Sequence, residues 1–374
     1  MPTAKKNQLV GLDIGSHSIK LVEIDDTKKG MVLNNFGAIG LPKDAIVEGS
    51  VKEMELVASA IKNLIKNLKV RNKNVATSIS GFSVIVKKIN IEKREEAELE
   101  SSIHEEAEQY IPFDISDVNL DYEVLTGKKA REEVEAAEEG EKEEGEEGES
   151  ETEDTGMMDV MLVAAKKDII DDYESLIHLA GLNPVVMDVD AFALQNAFEL
   201  SSEDTSGCYA IVSVGAEELG INAIKEGVSI FTRDSSYGGS QITEAIMSKF
   251  DVPYEEAEKI KLGGTKVDKE KGALEEIFTS VVSGWVQEIN RALDFLSTTY
   301  PDETIEKIYV SGGACRLPGF QKYLEMETNI PVEEFNPFTN LQINDKVIDP
   351  RYLNYMAPQA GVAVGLALRS VGDK

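Results

Sequence analysis

Residues 9–24 read LVGLDIGSHSIKLVEI: an apolar strand, a turn around Gly15 and a second strand in which apolar and polar residues alternate. The pattern returns after 200 residues as YAIVSVGAEELGINAI, residues 209–224. A third strand is predicted after each copy, at 31–39 and at 228–233. The repeat predicts two related half-molecules whose glycine turns face a shared cleft.

Helical spacing and short apolar runs predict the other elements. Helices are predicted at 52–68, 95–110, 168–179, 190–200, 240–250, 254–262, 273–299 and 360–370. Further strands are predicted at 75–79, 84–91, 118–125, 159–165, 185–189 and 308–310. The mixture predicts an α/β protein.

Composition narrows the class of protein. The chain has 374 residues, of which 42% are hydrophobic, and a net charge of −31. Such a field repels nucleic-acid backbones, so no nucleic-acid partner is expected. Two cysteines cannot form a disulfide framework, and no apolar run approaches the length of about 18 residues that a membrane helix needs. We also see no signal peptide, and we therefore expect a cytoplasmic protein.

An acidic run lies between residues 131 and 154, with fourteen carboxylates against two basic residues. After Val134 it has no aliphatic side chain larger than that of alanine, so it cannot bury enough apolar surface to order itself. We expect a disordered loop, inserted at 129–156. A docking arm for a basic partner is the alternative.

The first glycine turn has the groups that a phosphate site needs. Gly15 lets backbone N–H groups approach a phosphate, Ser16 adds a hydroxyl donor and Lys20 adds a cation. Asp13 is placed to hold Mg²⁺ through water. The alternative is an ordinary hairpin turn.

The second turn is poorer in such groups. Ser213 stands where the first copy has a carboxylate, and Glu217 and Glu218 are expected to repel a phosphate. Binding there would depend on backbone N–H groups around Gly215. This predicts weak or absent hydrolysis.

Three more groups complete the predicted site. Gly312 and Gly313 allow a flat base to lie against the backbone, and the guanidinium of Arg316 is suited to stacking on adenine. Gly238 and Gly239 open a helix whose N-terminus is suited to a phosphate oxygen. Glu258 and Lys261, three residues apart on one helical face, are suited to binding the ribose hydroxyls. An ordinary surface salt bridge is the alternative for that pair.

In this order, these elements resemble the actin-like ATPase superfamily and, within it, the FtsA-like PilM family of type IV pilus assembly proteins. Four segments carry the resemblance: GLDIGS at 11–16 with Lys20, EAEQYIPF at 106–113, DVDAFALQNAFE at 188–199 and NPF at 336–338. The resemblance implies a bilobed α/β actin-like fold of duplicated ribonuclease H-like domains with an FtsA-like 1C subdomain. The implied subdomains are 1A at 1–80, 166–205 and 346–374; 1C at 81–165; 2A at 206–238 and 301–345; and 2B at 239–300.

The resemblance also implies ligands and partners. ATP and Mg²⁺ are expected in the interlobe cleft, and the short cytoplasmic N-terminal tail of the membrane protein PilN in a groove between 1A and 1C. The expected role is an ATP-binding adaptor of the pilus machinery in twitching motility. The protein would contact inner-membrane and motor components and would reach the inner membrane only through a protein partner. Self-association stays open. The second hairpin of the family usually carries Asp where this chain has Ser213, which puts hydrolysis in doubt.

Two other functions stay open. A small-molecule kinase of the superfamily would need a catalytic carboxylate, for which Asp188 or Asp190 could serve. An FtsA-like division protein would carry a basic amphipathic membrane-targeting helix, and residues 369–374 have no such character.

Overall fold

The computed structural model describes residues 8–125, 156–202, 204–264, 271–344 and 348–373. The strands within these residues are β1 (Val10–Ile14), β2 (Ser18–Thr27), β3 (Gly30–Gly40), β4 (Ile46–Val47), β5 (Ser50–Val51), β6 (Asn74–Ile79), β7 (Val84–Glu92), β8 (Val118–Val124), β9 (Met157–Lys166), β10 (Asn183–Val189), β11 (Cys208–Val214), β12 (Leu219–Lys225), β13 (Val228–Ser235), β14 (Lys307–Ser311), β15 (Val332–Glu334) and β16 (Gln342–Ile343). The helices are α1 (Met54–Leu68), α2 (Glu96–Ala107), α3 (Lys167–Leu179), α4 (Asp190–Ser201), α5 (Gly239–Phe250), α6 (Tyr254–Lys261), α7 (Lys271–Thr299), α8 (Phe320–Thr328), α9 (Pro350–Met356) and α10 (Gly361–Ala367). None of the described helices combines the length and the apolar character needed to cross a membrane.

Two large sheets share one topology. The first has the strand order β10-β6-β1-β2-β3-β16 and the second β13-β12-β11-β14-β15. In each, an antiparallel three-strand meander is extended by strands parallel to its first strand. We call the first sheet with its helices the first lobe, and the second sheet with α5 to α8 the second lobe. The predicted α/β fold with two duplicated halves is confirmed.

The pairing of strands in the two hairpins matches residue by residue. Ile14 pairs with Ile19 in the first hairpin, and Val214 pairs with Leu219 in the second. Each turn closes with a glycine amide: Gly15 N–H donates to the Ser18 carbonyl over 3.2 Å, and Gly215 N–H to the Glu218 carbonyl over 2.8 Å. The alternating apolar residues set this register, because a slip by one residue would turn the buried face toward water.

A small third sheet, in the order β7-β9-β8, follows β6 and leads into α3. The helix α2 covers one face of it, with Leu99 and Ile103 packed against Ile89 and Leu162. The predicted acidic loop belongs to the connection between β8 and β9, but its residues 131–154 lie outside the described residues.

The helices α4 and α10 pack closely along a seam of small residues. A Cβ on Gly365 would lie 1.6 Å from the Ala193 carbonyl oxygen, and one on Gly361 would lie 2.4 Å from a methyl of Leu194. The strand β1 joins the seam at Gly11, where a Cβ would lie 2.1 Å from the Ala363 carbonyl oxygen. Such contacts exclude any side chain. Around the seam, the hydrophobic core includes residues from both lobes.

Candidate functional site

A cavity of about 650 Å³ lies between the lobes. It is lined by both hairpin turns, by the start of α4 and by the loop after β14. The predicted site residues that line it are Asp13, Gly15, Ser16, Lys20, Gly215, Gly239, Glu258, Lys261, Gly312, Gly313 and Arg316. The fold therefore brings together residues from two distant halves of the sequence. Gly238 does not line the cavity.

The first hairpin places a cation beside its glycine turn. Lys20 pairs with Asp13 over 3.2 Å, and the two side chains are only 14% and 11% exposed. A Cβ on Gly15 would lie 3.4 Å from the Lys20 ammonium nitrogen. Glycine thus leaves open the space next to the charge, where an anion can approach both the backbone and the lysine.

The same position in the second lobe has a different composition. In the first sheet Asp13 pairs with Lys20, whereas in the second Ser213 pairs with Gly220 and Gly220 with Asp234 of β13. A Cβ on Gly220 would lie 3.1 Å from a carboxylate oxygen of Asp234. Gly220 therefore leaves room for a carboxylate that arrives from the third strand. Asp234 was not among the predicted site residues, although an acidic residue directly after a predicted strand is a usable signal.

The helix start at Gly238 and Gly239 differs from the prediction. The N–H groups of Gly239 and Ser240 donate to the carbonyls of Gly215 and Ala216, over 3.0 and 2.8 Å. A Cβ on Gly238 would lie 2.3 Å from the Ala216 oxygen. These glycines allow α5 to dock against the second turn. The amides expected to receive a phosphate oxygen already have partners in the protein.

The two glutamates of the second turn line the cavity and also make contacts that the sequence did not predict. They reach across to the first lobe: the Glu217 carboxylate accepts a hydrogen bond from Glu48 N–H over 3.0 Å, and the Glu218 carboxylate accepts one from the Ser80 hydroxyl over 3.2 Å. Burial raises the pKa of both glutamates. Since both accept from first-lobe donors, they bridge the lobes, which side-chain chemistry alone could not reveal.

The pair Glu258–Lys261 is an ion pair in the cavity wall. The Lys261 ammonium lies 2.6 Å from the Glu258 carboxylate and donates to the Thr243 hydroxyl over 2.8 Å. Thr243 itself donates to Glu258. Both charged side chains are largely buried, so the pair is more enclosed than an ordinary surface salt bridge.

The loop after β14 depends on Gly312. Its φ is +83°, and a Cβ there would lie 2.3 Å from the Val214 carbonyl oxygen. Gly313 is open, with Gln359 as the nearest neighbour of a Cβ at 3.5 Å. Gly312 therefore fixes the path of the loop, and Gly313 forms its surface toward the cavity.

The guanidinium of Arg316 is already held by neighbours. It binds both carboxylate oxygens of Glu334 and donates to the carbonyls of Asn354 and Tyr355. Its central carbon lies 6.0 Å from the centre of the Tyr355 ring. These contacts account for four of its five N–H donors, so the face of the guanidinium is the main surface that Arg316 offers to a base.

Of the two aspartates weighed as catalytic carboxylates, only Asp190 lines the cavity. It accepts a hydrogen bond of 2.5 Å from Ser78, and burial with the nearby Asp13 raises its pKa to about 7. Asp188 lies instead 3.5 Å from the Arg369 guanidinium. No cluster of three or more His, Cys, Asp or Glu side chains suited to a metal occurs in the part of the chain that the structure describes.

Comparisons with known proteins agree with the geometry. The sequence profile of a family described as Type IV pilus assembly protein PilM matches residues 11–138 and 148–371. A solved PilM-PilN type IV pilus biogenesis complex matches with a TM-score of 0.80 and 27% identity, over 96% of this chain and 98% of that chain.

Two further solved structures match at lower identity. The ethanolamine utilization protein EutJ from Carboxydothermus hydrogenoformans matches with a TM-score of 0.53 and 17% identity, over 99% of this chain and 92% of that chain. It shares the fold. MreB 5 of Spiroplasma citri bound to AMPPNP has a TM-score of 0.49 and 11% identity, over 97% and 95%.

Proposed function

The chain belongs to the PilM family of type IV pilus assembly proteins, and from this premise we propose that it is an ATP-binding adaptor that engages the N-terminal tail of PilN. The observation that carries the nucleotide part is the cavity in which Lys20 and Gly15 face the Gly312–Gly313 loop. Family membership favours the adaptor over the small-molecule kinase and the cell-division protein.

The residues of the cavity fit ATP. Its volume of about 650 Å³ suits a small-molecule ligand. Gly15 and Lys20 would hold the phosphates, Glu258 and Lys261 the ribose hydroxyls, and Gly313 the base. A Cβ on Gly15 would lie 3.3 Å from the Ser18 carbonyl oxygen and 3.4 Å from the Lys20 ammonium nitrogen, so glycine leaves the most room for a phosphate beside Lys20.

Mg²⁺ would be held by Asp13 through water, which suits an ion that keeps several of its waters. Bound with the nucleotide, it would neutralise phosphate charge. Asp13 already pairs with Lys20. The phosphates would therefore be contacted by the Lys20 ammonium on one side and by the hydrated Mg²⁺ held by Asp13 on the other.

The partner is proposed from the solved relative, which is a complex of PilM with PilN. We assign the small sheet and α2 to subdomain 1C and place the PilN tail in the groove beside the first lobe. Attachment to the inner membrane, from the cytoplasmic side, would then go through PilN. An extended peptide in such a groove is recognised by backbone pairing and a few side-chain pockets.

Calorimetric titration with ATP and Mg²⁺ tests the nucleotide part. Lys20→Ala should weaken binding about tenfold or more, because it removes the cation beside the glycine turn. The matched control is Lys259→Ala, an exposed lysine of α6 that does not line the cavity. Equal ATP affinity in the folded Lys20→Ala protein and in the control would contradict the assignment of the phosphate end.

A further inference from the structure

Three carboxylates of the second lobe accept hydrogen bonds from the first lobe along one side of the cleft. Glu217 accepts from Glu48 N–H over 3.0 Å, and Glu218 from the Ser80 hydroxyl over 3.2 Å. Asp234 accepts from Gly81 N–H over 3.0 Å. We call Glu217, Glu218 and Asp234 the carboxylate latch.

The latch is short of positive charge. Within the described residues, no ion pair includes any of its three carboxylates. Three cations that line the same cavity are matched elsewhere: Lys20 with Asp13, Lys261 with Glu258 and Arg316 with Glu334. Arg233, which precedes Asp234 in β13, pairs with Glu288. His17 lies in the cavity near Lys20, Lys261 and Glu258, and its pKa is lowered by burial.

Other acidic groups face the two glutamates of the latch. Glu218 faces Asp234 of its own sheet and Asp190 at the start of α4. Asp190 in turn faces Asp13 and is close to the phenol of Tyr173. Glu217 faces Asp44 and Glu48 of the first lobe, Glu244 of α5 and the phenol of Tyr254 in α6. Fully ionised, these carboxylates would repel one another at the wall of the cavity that the three latch residues line.

We propose that the carboxylate latch closes the cleft in a proton-dependent way: the lobes are joined while latch carboxylates carry protons, and they separate as these carboxylates ionise. The proposal goes beyond nucleotide and PilN binding, because it concerns the free protein. It depends on the three cross-lobe hydrogen bonds and on the absence of a neutralising cation among the latch contacts described above.

The direction follows from proton linkage. In the closed arrangement burial raises the pKa of Glu217, Glu218 and Asp234, with like-charged neighbours adding to the rise for the two glutamates. The three cross-lobe hydrogen bonds act the other way, because a donor stabilises an ionised carboxylate, but burial outweighs them and the pKa of each group is raised. Open, the same groups would be hydrated and would ionise near their ordinary pKa of about 4. The closed arrangement therefore binds more protons, and raising the pH must favour the open one, by up to about tenfold per pH unit for each linked proton.

Pulsed electron–electron double resonance, which measures the distance between two spin labels, tests the latch without ATP, Mg²⁺ or peptide. The labels are placed at Lys52→Cys and Lys259→Cys, exposed positions in the two lobes. Both native cysteines are buried, so the labels go to the introduced ones. We expect the short interlobe distance to dominate at about pH 6 and a longer distance to gain population by about pH 8.5.

Substitutions separate charge from shape. Glu218→Gln keeps an acceptor for Ser80 but cannot ionise, so the short distance should persist at the higher pH. Asp234→Asn should act in the same direction and serves if the first variant does not fold. The control is Glu256→Gln, the same change at an exposed residue of α6, which should leave the response as in the wild type.

Two results would overturn the proposal. One is a wild-type distance distribution that is the same at both pH values. The other is a pH response in Glu218→Gln and Asp234→Asn that equals that of the control. Neither result depends on nucleotide or PilN binding, so the proposed function is tested separately.

Discussion

At the scale of single residues, two adjacent glycines behave differently. Gly312 has a positive φ, and a Cβ on it would overlap the Val214 carbonyl, whereas a Cβ on Gly313 meets only ordinary contacts. We predict that Gly312→Ala lowers the free energy of unfolding by about 3 kcal/mol, while Gly313→Ala changes it by less than about 1 kcal/mol. Thermal unfolding of both variants measures the difference.

The same two glycines separate an effect on folding stability from an effect on ATP binding. A larger side chain in Gly313→Val enters the cavity wall, so ATP affinity should fall in a protein that remains folded. Calorimetry on Gly313→Ala and Gly313→Val gives the comparison. Unchanged ATP affinity in the folded Gly313→Val protein would show that the base does not bind against this loop.

Asp190 makes stability depend on pH. Its pKa in the folded protein is raised to about 7, mainly by burial, while the unfolded chain ionises near about 4. Between these values the folded state holds a proton that the unfolded state has lost, so stability falls as the pH rises. We predict that Asp190→Asn stabilises the protein by about 1 to 3 kcal/mol near pH 8 and by less near pH 5.

Urea denaturation over this pH range measures the effect of Asp190→Asn. The amide keeps an acceptor for the Ser78 hydroxyl, so shape changes little. A gain that is the same at every pH would show that ionisation of Asp190 is not its cause.

At the scale of elements, the hairpins were predictable because their information is local. Alternation and a glycine turn fix both registers, and the offset of 200 residues holds for every pair. The strands β4, β5, β15 and β16 were missed, since two or three residues carry no period. The direction of Glu217 and Glu218 depends on donors in the other lobe, more than 130 residues away in the chain, which no local pattern contains.

The second hairpin also carries a prediction about turnover. Ser213 cannot hold a metal-bound water as a carboxylate would, so ATP hydrolysis should be far below an ordinary enzyme rate of about 10 per second. Ser213→Asp should raise phosphate release, measured with saturating ATP and Mg²⁺. Ser213→Asn has nearly the same shape without the charge and should not. A wild type that already reaches the ordinary rate would contradict the argument.

The seam between α4 and α10 predicts a large packing effect. A Cβ on Gly365 would lie 1.6 Å from a carbonyl oxygen of α4, so Gly365→Ala must push the helices apart. We expect a loss of about 3 kcal/mol or more in the free energy of unfolding. Gly40→Ala is the control, since no atom lies within 4 Å of a Cβ there. Equal melting temperatures for Gly365→Ala and Gly40→Ala would show that the two helices can move apart without a loss of stability.

At the scale of the whole molecule, the net charge of −31 bears on partner binding. An acidic surface favours a peptide with basic character and speeds its encounter at low salt. We predict that a labelled PilN-type N-terminal peptide binds more weakly as salt is raised, as followed by fluorescence anisotropy. The folded protein with ATP should show this response, and a peptide of scrambled sequence should not bind. No binding at low or high salt would remove the adaptor function.

The matched hairpins have one more consequence, which concerns direction. A ligand between the lobes meets the same backbone twice, but one copy presents Lys20 and the other presents Gly220 with Asp234 behind it. Turning a polar ligand end for end would move its anionic part from a lysine to a carboxylate. Duplication thus gave the cleft two walls of similar backbone, and a few substitutions gave these walls different charges, so that an anionic ligand is favoured in the orientation that places its charge beside Lys20.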